Sequence, residues 1–156
     1  MNPEKMTVIF RMVLFCGWFL FILGGIPAAA DVSAPPSEDE VKTFFEEYTT
    51  RYMGKDIEGF MALFTNEAVE NRMFPYADIR ELYHKTFANS DSLRYHLRVY
   101  TIQPFSYYVL VRGRYEIVQN IKGKNRLKTF SGDIQWNLIR ENGSLKIMGI
   151  NYGRDH

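Results

Sequence analysis

Apolar residues recur every three to four positions from Ser37 to Asn89, and mostly every second position from Leu93 to Tyr152. The first period is that of an α-helix with one buried face, the second that of a β-strand. Near Asn89 the chain therefore passes from a helical half to a strand meander. Ser37, followed three residues later by Glu40, forms a capping box that predicts a helix start. Val41, Phe44, Phe45, Tyr48 and Tyr52 then make one apolar stripe, and Gly54 is its expected C-cap. Asp56 is placed to cap a shorter second helix burying Ile57, Phe60, Met61 and Phe64, which Thr65-Asn66 stops. Val69, Asn71 and Met73 alternate with Glu70 and Arg72, which suggests a short strand. A turn at Phe74-Pro75-Tyr76 leads to a third helix capped by Asp78, with Ile79, Leu82, Tyr83 and Phe87 on one face, closed by Asn89-Ser90-Asp91.

Four strands follow, over about Leu93–Gln103, Tyr107–Asn120, Leu127–Arg140 and Leu145–Tyr152. Lys122-Gly123-Lys124-Asn125 and Glu141-Asn142-Gly143-Ser144 are the turns, the Asn-Gly pair being a strong hairpin signal because both residues tolerate positive φ. Long strands with short connections predict a curved antiparallel sheet. Alternation sorts its faces. Phe130, Ile134, Trp136 and Leu138 oppose Asp133, Gln135 and Asn137. Val109, Val111, Tyr115 and Ile117 oppose Arg112, Arg114 and Glu116. Tyr95, Leu97 and Val99 oppose Arg94, His96 and Arg98. The apolar set should face the helices, which leaves an arginine-rich outer face: cross-strand ion pairs or a dimer interface centred on Arg112, Arg114, Asp133 and Gln135, in preference to an anion site.

The 156 residues suffice for one domain, with a net charge of +1 and interleaved acids and bases, so nothing favours a nucleic-acid partner or an anionic membrane surface. Composition adds a compartment. Lys5 and Arg11 precede the uncharged apolar run Met12 to Leu23, Gly24-Gly25 and Pro27 break it, and Ala28-Ala29-Ala30 precedes Asp31. This is the order of a secretory signal peptide, with cleavage expected after Ala30 and export to a periplasmic or extracellular location. A retained membrane anchor stays open, because a helix over Met12 to Ala30 would span about 28 Å, close to the roughly 30 Å of bilayer hydrocarbon. Residues 31–39, with Pro35-Pro36, read as a linker, and residues 40–153 as the domain. Cys16, the one cysteine, lies in the leader, so disulfides and thiolate metal sites are excluded from the domain.

Helix, helix, short strand, helix and four antiparallel strands is an order that resembles the nuclear transport factor 2-like superfamily, including its SnoaL-like and ketosteroid isomerase-like members. The resemblance rests on the opening helix Val41 to Tyr48, on Phe60 to Phe64, and on the closing hairpin Trp136 to Ile147, where Leu145 stands at a position often held by Trp. It implies an α+β cone, three helices packed on a curved antiparallel sheet, with a pocket between them and frequent homodimers through the sheet. The superfamily hosts enzymes, binding modules and assembly domains, so fold does not choose among these.

Residue types narrow the choice. Tyr48, Tyr52, Phe64, Tyr83, Phe87 and Trp136 are the expected pocket residues. Glu70 and His84 are the candidates for acid–base chemistry, Glu70 against the alternative of an exposed strand edge. No pair of histidines among His84, His96 and His156 has metal-ligand spacing, and there is no Gly-rich phosphate loop, nucleophile elbow or CxxC motif, so neither metal nor cofactor is expected. The reading is an exported domain, dimeric, non-catalytic, binding a small apolar or amphipathic ligand or serving a protein partner. The alternatives are a SnoaL-like isomerase, hydrolase or dehydratase using a pocket carboxylate with Tyr or His, and a membrane-anchored assembly module.

Overall fold

A computed structural model describes residues 35–155 except Asn125. The expected signal peptide, residues 1–30, lies outside the described residues. Helix α1, Glu38–Gly54, opens on the expected capping box: Glu40 N–H donates to Ser37 Oγ over 3.2 Å, and Ser37 N–H to Glu40 Oε2 over 2.8 Å. Its exit differs from expectation. Gly54 stays helical, and Lys55 takes the left-handed conformation at φ 56°. That conformation costs a non-glycine residue about 1–2 kcal/mol. Lys55 Nζ offsets this by donating to the carbonyls of Ser90 and Asp91, at 3.0 and 3.1 Å.

Helix α2 is one short turn, Ile57–Met61, capped as expected by Asp56, whose Oδ1 accepts from Gly59 N–H. Phe64 does not belong to it. Strand β1 runs over Phe64–Glu70, and Phe64 pairs with Ile147. Asn71 and Arg72, at φ 49° and 60°, turn the chain into the two-residue strand β2, Phe74–Pro75. The expected turn thus falls three residues early, and Phe74-Pro75 pairs instead of turning. Helix α3, Tyr76–Ala88, starts at Pro75 with no side-chain cap, and Asp78 sits in its first turn, where its charge favours the helix N-terminus without capping it.

Strands β3 (Ser90–Pro104), β4 (Val109–Ile121), β5 (Leu127–Glu141) and β6 (Ser144–Tyr152) form the expected antiparallel meander. Asn142 and Gly143, at φ 50° and 80°, make the last hairpin turn. The sheet is curved and unclosed, ordered β2-β1-β6-β5-β4-β3. One pairing departs from an all-antiparallel sheet: β1 joins β6 in parallel.

The core lies between the helices and the inner sheet face. Trp136 is fully buried, with Phe45 and Tyr48 ring centroids 4.5 and 6.1 Å away. Phe60 is the hub on the helical side, edge-on to Tyr52, Tyr83 and Phe87. Such tilted and edge contacts suit aromatic quadrupoles better than face-to-face stacking.

Candidate functional site

Six tyrosines converge between the helices and the inner sheet face: Tyr48 and Tyr52 from α1, Tyr83 from α3, Tyr95 from β3, Tyr115 from β4 and Tyr152 from β6. Tyr48 and Tyr52 stand four residues apart and so share one helix face. Strand alternation turns Tyr95 and Tyr115 inward with Ile117, Phe130 and Ile134. Together they line a cavity of about 140 Å³. An apolar cavity of roughly 150 Å³ holds one benzene ring. The lining residues Leu82 on α3 and Arg154 beyond β6 are exposed, so the mouth lies between them.

Behind Tyr83 and Tyr152 stands Glu70, with no exposed surface. The Tyr152 hydroxyl donates to its Oε1. The Tyr83 hydroxyl is also close, but Oε2 has no partner in hydrogen-bond geometry. Burial raises the carboxyl's pKa above the usual glutamate range, and the two tyrosines offset part of that rise. Glu70 is therefore not at an exposed edge. β1 begins at Phe64, irregular pairing between Phe64 and Val69 resets its phase, and the turn at Asn71-Arg72 follows at once. Ala68 and Glu70 consequently point inward, while Val69 and Met73, the apolar positions of the expected alternation, are exposed. Arg72 is exposed and forms no pair with Glu70.

Burial also raises the pKa of all six phenols. At neutral pH the cavity therefore presents protonated hydroxyls, donors rather than bases. Tyr152 is committed to Glu70, and Tyr115 donates to the Gly153 carbonyl over 2.8 Å. Tyr52 has no hydrogen-bond partner among the described residues, though it is 4% exposed. Gln119 reaches the cavity too, its amide nitrogen donating to Ser90 Oγ over 2.8 Å.

Of the expected pocket residues, Tyr48, Tyr52 and Tyr83 line the cavity. Phe64, Phe87 and Trp136 do not; they pack among other rings in the core. His84 is on the exposed face of α3, one position past the inward Tyr83. On the outer face, Arg112 Nε donates to Gln135 Oε1 over 3.2 Å, and Arg114 pairs with Asp155 and, at 3.7 Å, with Asp133. Tyr95, Tyr115, Tyr152, Gln119 and Arg154 are cavity residues that the sequence reading does not single out. Alternation alone marks Tyr95 and Tyr115 as inward, and Tyr152 is in phase with the buried Ile150. Among the described residues no three His, Cys, Asp or Glu side chains converge as a metal-binding set.

No protein-family model matches the chain, and no curated protein matches it. Solved structures do. A candidate aromatic ring hydroxylase of Novosphingobium aromaticivorans superposes with a TM-score of 0.66 at 17% identity, over 75% of this chain and 87% of that one. A candidate scytalone dehydratase of the same organism gives 0.67 at 10% identity, over 76% and 83% of the two chains. A nuclear transport factor 2-like superfamily protein of Salmonella enterica gives 0.66 at 12%, over 76% and 90%. At these identities the likeness is one of fold: this is the nuclear transport factor 2-like cone.

Proposed function

We propose that this nuclear transport factor 2-like cone is a small-ligand-binding domain whose ligand is a single ring carrying a hydrogen-bond-accepting oxygen. One observation carries the reading. Every titratable cavity hydroxyl is held protonated, while the acid of the site, Glu70, is sealed behind Tyr83 and Tyr152 and touches no cavity space. Such a cavity recognises an acceptor and encloses a ring; it offers no base in contact with the ligand. Tyr52 is the uncommitted donor. A fold shared with a protein named for aromatic ring hydroxylation is consistent with a ring-shaped ligand.

Titration with phenol, followed by saturation-transfer NMR, tests this. Tyr52→Phe should weaken binding by about five- to tenfold, the worth of one hydrogen bond. Thr86→Trp, placed to fill the mouth, should abolish it. Binding that is absent, or unchanged in both variants, removes the proposal.

The unpartnered Oε2 of Glu70 supports a second reading, an enzyme in which a shift of Tyr83 or Tyr152 opens the carboxyl to the ligand. Hydrogen–deuterium exchange at the α-carbons of cyclohexanone, catalysed by the wild type and lost in Glu70→Gln, would establish it. Export belongs to the proposal on the strength of the leader sequence, and an N-terminus at Asp31 in protein recovered from the cell envelope or medium would support it. A start at Met1 would favour the anchored module.

A further inference from the structure

Among the described residues, Arg154 is the one charged side chain that lines the cavity. Its guanidinium carbon sits 4.8 Å from the Phe130 ring centroid, the Tyr115 hydroxyl is close by, and no carboxylate among the described residues pairs with it. The nearest acid in sequence, Asp155, is held on the opposite sheet face by Arg114 and Ser131 Oγ. The placement of Arg154 is built into the fold. Gly153 N–H donates to Asp133 O over 3.1 Å and Asp155 N–H to Ser131 O over 2.9 Å, so the tail continues beside β5 and Arg154 is clamped from both sides. In that continued alternation Arg154 keeps the phase of Ile150 and Tyr152 and turns to the inner face. Gly132 makes the crossing feasible, since a Cβ there would lie 2.2 Å from the Gly153 carbonyl oxygen. The same carbonyl accepts from Tyr115.

From this geometry, and resting on the ligand-binding reading above, we infer that the natural ligand is a ring-bearing organic anion, its ring among the tyrosines and its anionic head paired with Arg154 at the mouth. A guanidinium stacked on an aromatic ring is already oriented, keeps its charge at every physiological pH and presents a planar fork that matches a carboxylate. The cavity has room for the ring but little more, so the head group must reach the mouth, where Arg154 stands. Glu70, the acid nearest the cavity, keeps a proton more readily than an ordinary glutamate and so opposes an anion less.

Calorimetric titration of the full chain at neutral pH with 4-hydroxybenzoate and its neutral isostere 4-hydroxybenzamide tests the assignment. The carboxylate should bind roughly tenfold or more tightly than the amide, as a charge-assisted pair requires. Added salt should weaken the carboxylate alone. Arg154→Gln should erase the preference, and Arg154→Lys should restore part of it. Equal affinity for the two probes in the wild type, or a preference that survives Arg154→Gln, overturns the anion assignment while the amide's binding keeps the cavity reading. Failure of both probes and of phenol removes the two together.

Discussion

The Tyr152 hydroxyl donates to one oxygen of the buried Glu70 carboxyl and leaves the other oxygen without a partner. A half-satisfied carboxyl in a dry setting is far better neutral than charged. The linkage has a definite sign. Its folded pKa lies above the unfolded value, so its contribution to stability is complete below the unfolded pKa, about 4.3 for glutamate, and is lost as pH rises through the folded value. Urea unfolding of the wild type and Glu70→Gln across pH isolates it, since the other groups titrate alike in both. The wild type should fall behind the variant as pH rises above about 4, by 1 kcal/mol or more for each unit of pKa elevation. Parallel profiles would mean that Glu70 ionises as freely in the fold as in the open chain.

Tyr152→Phe keeps the ring that lies edge-on to Tyr115 and removes the one partner of Glu70 Oε1. Stranding a buried acceptor costs about 1–3 kcal/mol. The loss should be larger at high pH, where the carboxylate is the form left unpaired. In the Glu70→Gln background the same change should cost less, and a double-mutant cycle by urea denaturation measures the difference.

Gly132→Ala should act at a distance from its own methyl. The new carbon would press on the Gly153 carbonyl oxygen, which Tyr115 holds from the other side. A cost of about 1–3 kcal/mol is expected from such overpacking. Amide exchange at Gly153 and Asp155 should accelerate far more than exchange in α1. An unchanged tail would contradict the close crossing of β5.

Removing the hydroxyl of the helix cap, Ser37→Ala, should destabilise the domain by about 1 kcal/mol. The measurement is thermal unfolding, and phenol affinity should not change, because α1 is anchored at this end by Arg140 on Glu40 as well as by the cap.

Pairing of two copies through the outer sheet face is part of the proposed picture. Arg114 faces Asp133 and Asp155 there. Native mass spectrometry should find a wild-type dimer, and Arg114→Glu, which gathers three acids on that face, should shift it to monomer. A dimer unaffected by the charge reversal would place the contact elsewhere.

The period change at Asn89 made the architecture legible, because a sheet with one dry face imposes strict alternation and a packed helix imposes its own stripe. The capping box at Ser37 and the Asn142-Gly143 turn are local chemistry and were equally readable. The site was less so. Glu70 depended on where β1 begins and on a ladder irregularity, and neither leaves a trace in a seven-residue segment. Periodicity read Phe64 into a helix, while its parallel pairing with Ile147 is a long-range fact. Phe87 and Trp136 illustrate the same limit: alternation tells that a ring points inward, but not whether it meets another ring or open space. Arg154 shares the phase of Ile150 and Tyr152, but that the tail continues beside β5 after Tyr152 depends on the close approach at Gly132, a long-range fact.

Because β1 is held against β6 in parallel, Glu70 and its partner Tyr152 are 82 residues apart in the chain. Contacts of that separation are slow to form. While a chain is still being made, the glutamate is in water and ionised; only the final strand covers it. Between its unfolded and folded pKa values, closing that strand takes a proton from solution. Covering Glu70 is thus also an acid–base reaction, with a proton taken up as the strand docks.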